Sequence, residues 1–182
     1  QVKTPGGEEL YLDCNADDPL AAFVFKTVTD PFVGKMSYVK VVAGKLAASS
    51  SPTNVRAGVP QRMGKLVTIR GKKQEETDYI GAGDIGVICK LAEAVTGDSI
   101  CDPKRLVLFE KAPFPKPSLT MASQLTGKGD EGKIAQALLR LMEEDPAIAF
   151  ENNTETRQQL ISGLGEQHLD VIVSKLKNKF GI

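Results

Sequence analysis

The stretch "KIAQALLRLMEEDPAIAFENNTETRQQLISGLGEQHLDVIVSKLKNKF", Lys133 to Phe180, changes period three times. Ile134, Leu138, Leu141 and Met142 recur at helical spacing and predict an amphipathic helix. Glu143-Glu144-Asp145-Pro146 stops it, because the residue before a proline disfavours the α region. "AIAFEN" (Ala147–Asn152) and "RQQLIS" (Arg157–Ser162) read as two short strands, with Asn152-Asn153-Thr154 as turn chemistry between them. A second helix is expected from near Gly165, burying Leu169, Ile172, Val173 and Leu176. Glu166 and Asp170 near its start and Lys175, Lys177 and Lys179 near its end suit the helix dipole. With a strand at Ser118–Leu125 the order is β-α-β-β-α. That is an α+β, ferredoxin-like split βαβ domain lacking or truncating its last strand.

Working towards the N-terminus, "KAPFPKPS" (Lys111–Ser118) holds three prolines and reads as a stiff connection. The expected division is a first domain over 1–112, a Pro-rich linker over 113–117 and the α+β domain over 118–182. The first domain shows strand patterns: "LAAFVFKTV" (Leu20–Val28), "MSYVKVVAGKL" (Met36–Leu46), "MGKLVTIRG" (Met63–Gly71) and "AGDIGVICKL" (Ala82–Leu91). "TGDSICD" (Thr96–Asp102) reads as a turn. Short strands punctuated by Gly and Asp predict an all-β barrel that closes its own edges.

Between the Ser118–Leu125 strand and the first helix of the α+β domain lies "TGKGDEGKIAQALL" (Thr126–Leu139), where Gly127, Gly129 and Gly132 spell G-x-G-x-x-G. A dinucleotide loop needs a parallel βαβ unit inside a larger sheet. Here the strand after the helix turns straight into another strand, and only about 50 residues follow the glycines. A flexible start to a helix is the better reading, with some backbone affinity for phosphate at its N-terminus. None of the Gly-Lys pairs is followed by Ser or Thr, so no P-loop is spelled and no GTP binding is expected of this chain.

Cys14, Cys89 and Cys101 include no C-x-x-C, and His168 is the single histidine, so neither a disulfide framework nor a typical zinc site is expected. The cysteine usage fits a reducing cytoplasm. No apolar run approaches the ~18 residues of a membrane span. No signal peptide is seen, and the start at "QVKTPGGEEL" reads as a fragment of a longer protein.

Net charge is zero, but Pro31 to Gln74 contains no Asp or Glu. That stretch carries Lys35, Lys40, Lys45, Arg56, Arg62, Lys65, Arg70, Lys72 and Lys73. Such a field suits a polyanion such as RNA. The alternative is a set of solvated strand faces balanced by acidic loops elsewhere.

Three stretches carry a family resemblance. "DDPLAAFVFKTVTDPFVGKMSYVKVVAGKL" and "AGDIGVICKL...TGDSICD" resemble the opening and closing parts of the second domain of bacterial elongation factor G. The Lys133–Phe180 stretch is similar to its third domain, with L-x-x-L-x-E-E-D-P, a hairpin and S-G-L-G-E-x-H-L-D in the family's order. The family are translational GTPases that move tRNA and mRNA through the ribosome. The resemblance implies a barrel that packs on a GTPase domain of the same parent chain and touches small-subunit rRNA. It implies a third domain near the decoding region that couples nucleotide state to the rest of the molecule. GTP and Mg would belong to the parent's GTPase domain, with no cofactor and no catalytic residue in this chain. Lys35, Arg56, Arg62, Lys65, Arg70, Lys72 and Lys73 are then candidate RNA contacts. Gly163, Gly165, Glu166 and His168 match the family's G-x-G-E-x-H segment, beside its fusidic-acid pocket. For His168 the plain alternative is a half-buried helix residue satisfied by a backbone carbonyl, and for Asp145 and Pro146 a helix end. Gln167 stands where the family usually has Leu, and Arg70-Gly71-Lys72-Lys73 replaces a His-containing stretch. The strand "SLTMASQLT" lacks an expected acid, and the glycine-rich loop replaces a more charged one. These departures suggest a divergent paralogue. Competing expectations are a ribosome-protection factor of the tetracycline-resistance type, a recycling GTPase, or a regulatory binding module with no ribosomal role.

Overall fold

The computed structural model describes residues 1–30, 32–123, 131–153, 155–156 and 158–181. The chain divides into two compact units, Gln1–Ala112 and Pro113–Ile182. Residues 113–117 form neither helix nor strand.

In the first unit the strands are β1 (Val2–Lys3), β2 (Glu9–Leu10), β3 (Ala21–Asp30), β4 (Gly34–Ala43), β5 (Lys45–Ala47), β6 (Thr53–Asn54), β7 (Val59–Pro60), β8 (Leu66–Arg70), β9 (Lys73–Thr77), β10 (Tyr79–Gly81), β11 (Ile85–Cys89) and β12 (Ser99–Cys101). Eight pair in the order β7-β6-β12-β3-β4-β11-β8-β9, while β5 pairs with β10 and β1 with β2. Every pairing is antiparallel. The long β3–β4 hairpin has a register shift between Val24 and Lys26, where Phe25 is the extra residue. Such a bulge bends the sheet. The barrel's core gathers Ala22, Val24, Val39, Val41, Leu66, Ile88 and Ile100 with Leu46 and Ile80 of the β5–β10 ribbon.

Three expectations are corrected here. The eight-stranded ladder ends at β7 and β9, so hydrogen bonding does not close the barrel's edges among the described residues. Thr96–Asp102 is not simply a turn, because Ser99–Cys101 form the fully buried strand β12 between β3 and β6. Met36–Leu46 is two strands broken at Gly44, where a Cβ would lie 2.7 Å from the Leu20 backbone.

The second unit runs β13 (Leu119–Ser123), α1 (Glu131–Glu144), β14 (Ala149–Asn153), β15 (Gln158–Gly163) and α2 (Glu166–Phe180). The sheet order is β13-β15-β14, antiparallel throughout, with no fourth strand among the described residues. Ile134, Ala137, Leu138 and Leu141 of α1 pack with Ile148, Ile161, Leu169, Ile172 and Leu176. Val173 departs from expectation: it is 43% exposed. Leu169, Ile172 and Leu176 form a 3-4 stripe, and Val173 sits at its edge. Gly132 lies in α1, whereas Gly127 and Gly129 fall outside the described residues.

Candidate functional site

Three cations of the acid-free stretch, Arg56, Lys65 and Lys73, find acids from outside it. Arg56 makes a two-pronged pair with Asp98, Nε to Oδ1 at 2.7 Å and Nη2 to Oδ2 at 2.9 Å. Asn54 Nδ2 and the Val95 N–H donate to the same carboxylate at 2.8 and 3.0 Å. Burial of Asp98 pushes its carboxyl up, but these donors, Arg56 foremost, outweigh it and hold the carboxyl below its ordinary value. Arg56 is therefore committed to a structural pair. Lys65 pairs with Glu76 at 2.9 Å and Lys73 with Glu75 at 2.7 Å. Lys35 Nζ donates to the Ala92 carbonyl at 3.2 Å.

Arg62, Arg70 and Lys72 are exposed and have no acidic partner among the described residues. Arg70 and Lys72 sit at the tip of the β8–β9 hairpin, where Arg70 faces Lys73 across a Gly71-Lys72 turn. Gly71 has φ 61°, the left-handed conformation the first central position of a type II′ turn demands. The tip thus concentrates positive charge away from Glu75 and Glu76 further along β9.

In the second unit, Gly163, Gly165, Glu166 and His168 come together at the β15–α2 junction. His168 Nδ1 accepts the Leu164 N–H at 3.0 Å. Its Nε2 therefore carries the proton and donates to Asp145 Oδ2, also at 3.0 Å. The expected carbonyl partner is replaced by a backbone amide and a carboxylate. Asp145 does more than end α1: its Oδ1 accepts the Ala147 N–H at 2.9 Å while Oδ2 holds His168. Gly163 is packed so closely that a Cβ there would lie 3.0 Å from His168 Nδ1 and 3.1 Å from Leu169 Cδ2. Ser118 Oγ donates to the Leu164 carbonyl at 2.8 Å, so the residue leading into β13 also holds this junction. Leu164 itself remains 44% exposed. Gly165 and Glu166 provide the N-cap position and an acid in the first turn of α2.

Sequence reading missed the Asp98 network and the Asp145–His168 pair, since both join residues far apart in the chain. The G-D in "TGDSICD" was the available signal for Asp98. Among the described residues there is no group of three His, Cys, Asp or Glu suited to a metal, and no helix long and apolar enough to cross a membrane.

Comparison with known proteins agrees with this two-part architecture. Residues 19–103 match the family model described as elongation factor G domain 2, and residues 114–182 match elongation factor G, domain III. Elongation factor G of Thermotoga maritima is 39% identical over 176 residues, covering 97% of this chain and 25% of that protein. The chain belongs to the elongation factor G family. The elongation factor G of Pseudothermotoga lettingae is 37% identical over 179 residues, 98% of this chain and 26% of that protein. A crystal structure of a Thermus thermophilus protein aligns with TM-score 0.75 and 31% identity, over 88% of this chain and 24% of that one. The chain thus spans about a quarter of these elongation factor G relatives, and the matched models are their second and third domains.

Proposed function

We propose that this chain is the ribosome-binding and coupling part of an elongation factor G-like GTPase that promotes translocation of tRNA and mRNA. The barrel would meet small-subunit rRNA and protein near the decoding region through its unbalanced cations. The α+β unit would pass the nucleotide state of the parent's GTPase domain to the rest of the molecule. GTP and Mg would bind in that GTPase domain, in the cytoplasm, and this chain alone would not catalyse hydrolysis. The observation that carries this reading is the β8–β9 tip: Arg70 and Lys72 project from a barrel of the family's second-domain type without acidic partners among the described residues. Lys35, Arg56, Lys65 and Lys73 support that surface indirectly, through the contacts described above.

Co-sedimentation with purified ribosomes across a salt series tests the reading. Salt-sensitive binding is expected, with clear loss in the folded Arg70→Glu/Lys72→Glu variant and a smaller loss in Lys72→Glu/Lys73→Glu, because Lys73 is already paired. Unchanged binding by both folded variants would remove the hairpin from the interface.

A further inference from the structure

We propose that His168 is a proton-operated latch on the β15–α2 junction. Neutral, its ring holds the backbone at Leu164; on taking up a second proton, it releases that backbone. The inference lies within the α+β unit and does not depend on the ribosomal reading.

The latch is a chain of hydrogen bonds joining three segments far apart in sequence. At the end of α1, Asp145 Oδ2 accepts from His168 Nε2 at 3.0 Å. The other ring nitrogen, Nδ1, accepts the Leu164 N–H, also at 3.0 Å. Just ahead of β13, Ser118 Oγ donates to the Leu164 carbonyl at 2.8 Å and the Ser118 N–H to the Gly163 carbonyl at 2.9 Å. An imidazole accepts at one nitrogen and donates at the other only while it is neutral. The imidazolium carries a proton on both. Nδ1 then becomes a second donor facing the Leu164 N–H, and the two repel. A backbone N–H deprived of its acceptor must find water or another partner.

The surroundings decide which side gives way. The charged ring gains at Nε2, where the bond to Asp145 becomes charge-assisted. It has no room to shift over Gly163, where a Cβ would already lie 3.0 Å from Nδ1. The nearby carbonyls are engaged: Gly163 and Leu164 accept from Ser118, and Gly165 accepts the Leu169 N–H at 3.1 Å. Residues 163–165 are the softer party. Leu164 is 44% exposed and stands between two glycines, whose backbones turn at little steric cost. Asp145 is the charged side chain in contact with the ring among the described residues. Of the elements packed around it, α1 also ends in Glu143 and Glu144, the latter paired with Lys179 of α2. α2 adds Glu166 and Asp170, and β14 adds Glu151, all three exposed. β13 and β15 carry no charged side chain. Imidazoles change charge between about pH 5 and 8, so the latch would work in that range.

The test is NMR of the full chain from pH 8 to pH 5. His168 is the chain's single histidine, so its ring signals need no separate assignment. Long-range nitrogen–proton correlations should show a neutral ring protonated at Nε2 at the upper end. The Leu164 amide shift should titrate with the ring's own midpoint, and its protection from hydrogen exchange should fall about tenfold as the ring charges. Asp145→Asn keeps an acceptor for Nε2 but removes the charge, and should move the ring and Leu164 midpoints together to lower pH. His168→Gln cannot titrate and should flatten the Leu164 profile, with Tm reporting whether the variant is folded. Three results would each overturn the proposal: a ring that charges while the Leu164 amide is unmoved, a ring still neutral at pH 5, or a Leu164 profile that persists in folded His168→Gln. The first two are read on the unaltered chain, so they decide the matter even where a variant fails to fold.

Discussion

Asp98 shows how much one buried carboxylate can organise. Its side chain is fully buried and accepts from Arg56, Asn54 and the Val95 N–H. Asp98→Ala would strand the buried Asn54 amide and the Val95 N–H, while Arg56, whose side chain is 43% exposed, can partly rehydrate. We expect a loss of about 2–3 kcal/mol in urea unfolding. The folded carboxyl lies below the unfolded value of about 3.9. Its contribution is therefore complete above that value and disappears as pH falls through the folded one. Tm measured from pH 6 down to strong acid should fall less steeply in Asp98→Asn than in the parent; identical slopes would show that Asp98 is not the titrating group. At the other end of the chain, Asp145 and His168 meet through one 3.0 Å hydrogen bond. A double-mutant cycle with Asp145→Ala and His168→Ala should give a coupling of about 0.5–1.5 kcal/mol. A coupling near zero would mean that each residue works only through its backbone contacts.

At the scale of elements, legibility followed burial. Strands and helices with an apolar face announced themselves: β3, β4, β8, β11, α1, β14, β15 and α2 all lie where periodicity placed them, within a few residues. The strand β9, "KQEET", was not read because it is an edge strand whose residues are mostly solvated. β12 was hidden by its shortness: three residues inside turn-forming neighbours. The basic face was half legible. Charge runs show which sign a segment carries, but the neutralising acids arrive from β9 and from Asp98, which only the strand pairing reveals. The same limit explains Val173. Helical spacing marks it as a core candidate, yet the stripe that packs is Leu169, Ile172 and Leu176. Substitutions should separate the two classes. In the full chain, Leu138→Ala should cost about 2–5 kcal/mol, since Leu138 is fully buried. Val173→Lys should stay within about 0.5 kcal/mol. Comparable losses by thermal unfolding would place Val173 in the core.

For the whole molecule, a zero net charge and a pI near 6.8 argue against diffuse attraction to RNA. Any ribosome affinity must come from a local arrangement, which gives the salt dependence a bounded size. A phosphate contact releases counterions and contributes about 0.7–0.9 to the slope of log K against log salt. In the acid-free stretch, Arg62, Arg70 and Lys72 have no acidic partner among the described residues, whereas Arg56, Lys65 and Lys73 exchange one ion for another on binding and contribute less. Arg62, Arg70 and Lys72 give an expected slope of about −2 to −3. Nine bare cations would give a slope of about −6 to −8, but three sit in ion pairs, Lys35 and Lys40 donate to the Ala92 and Gly83 carbonyls, and Lys45 lies over the Tyr79 ring. Sedimentation at four or more salt concentrations measures the slope directly. Arg70→Glu/Lys72→Glu should reduce it by about two, and Arg62→Ala by about one. A slope near −7 would show that the paired and carbonyl-bound cations also reach phosphate on the ribosome, and the surface would then have to be redrawn around them.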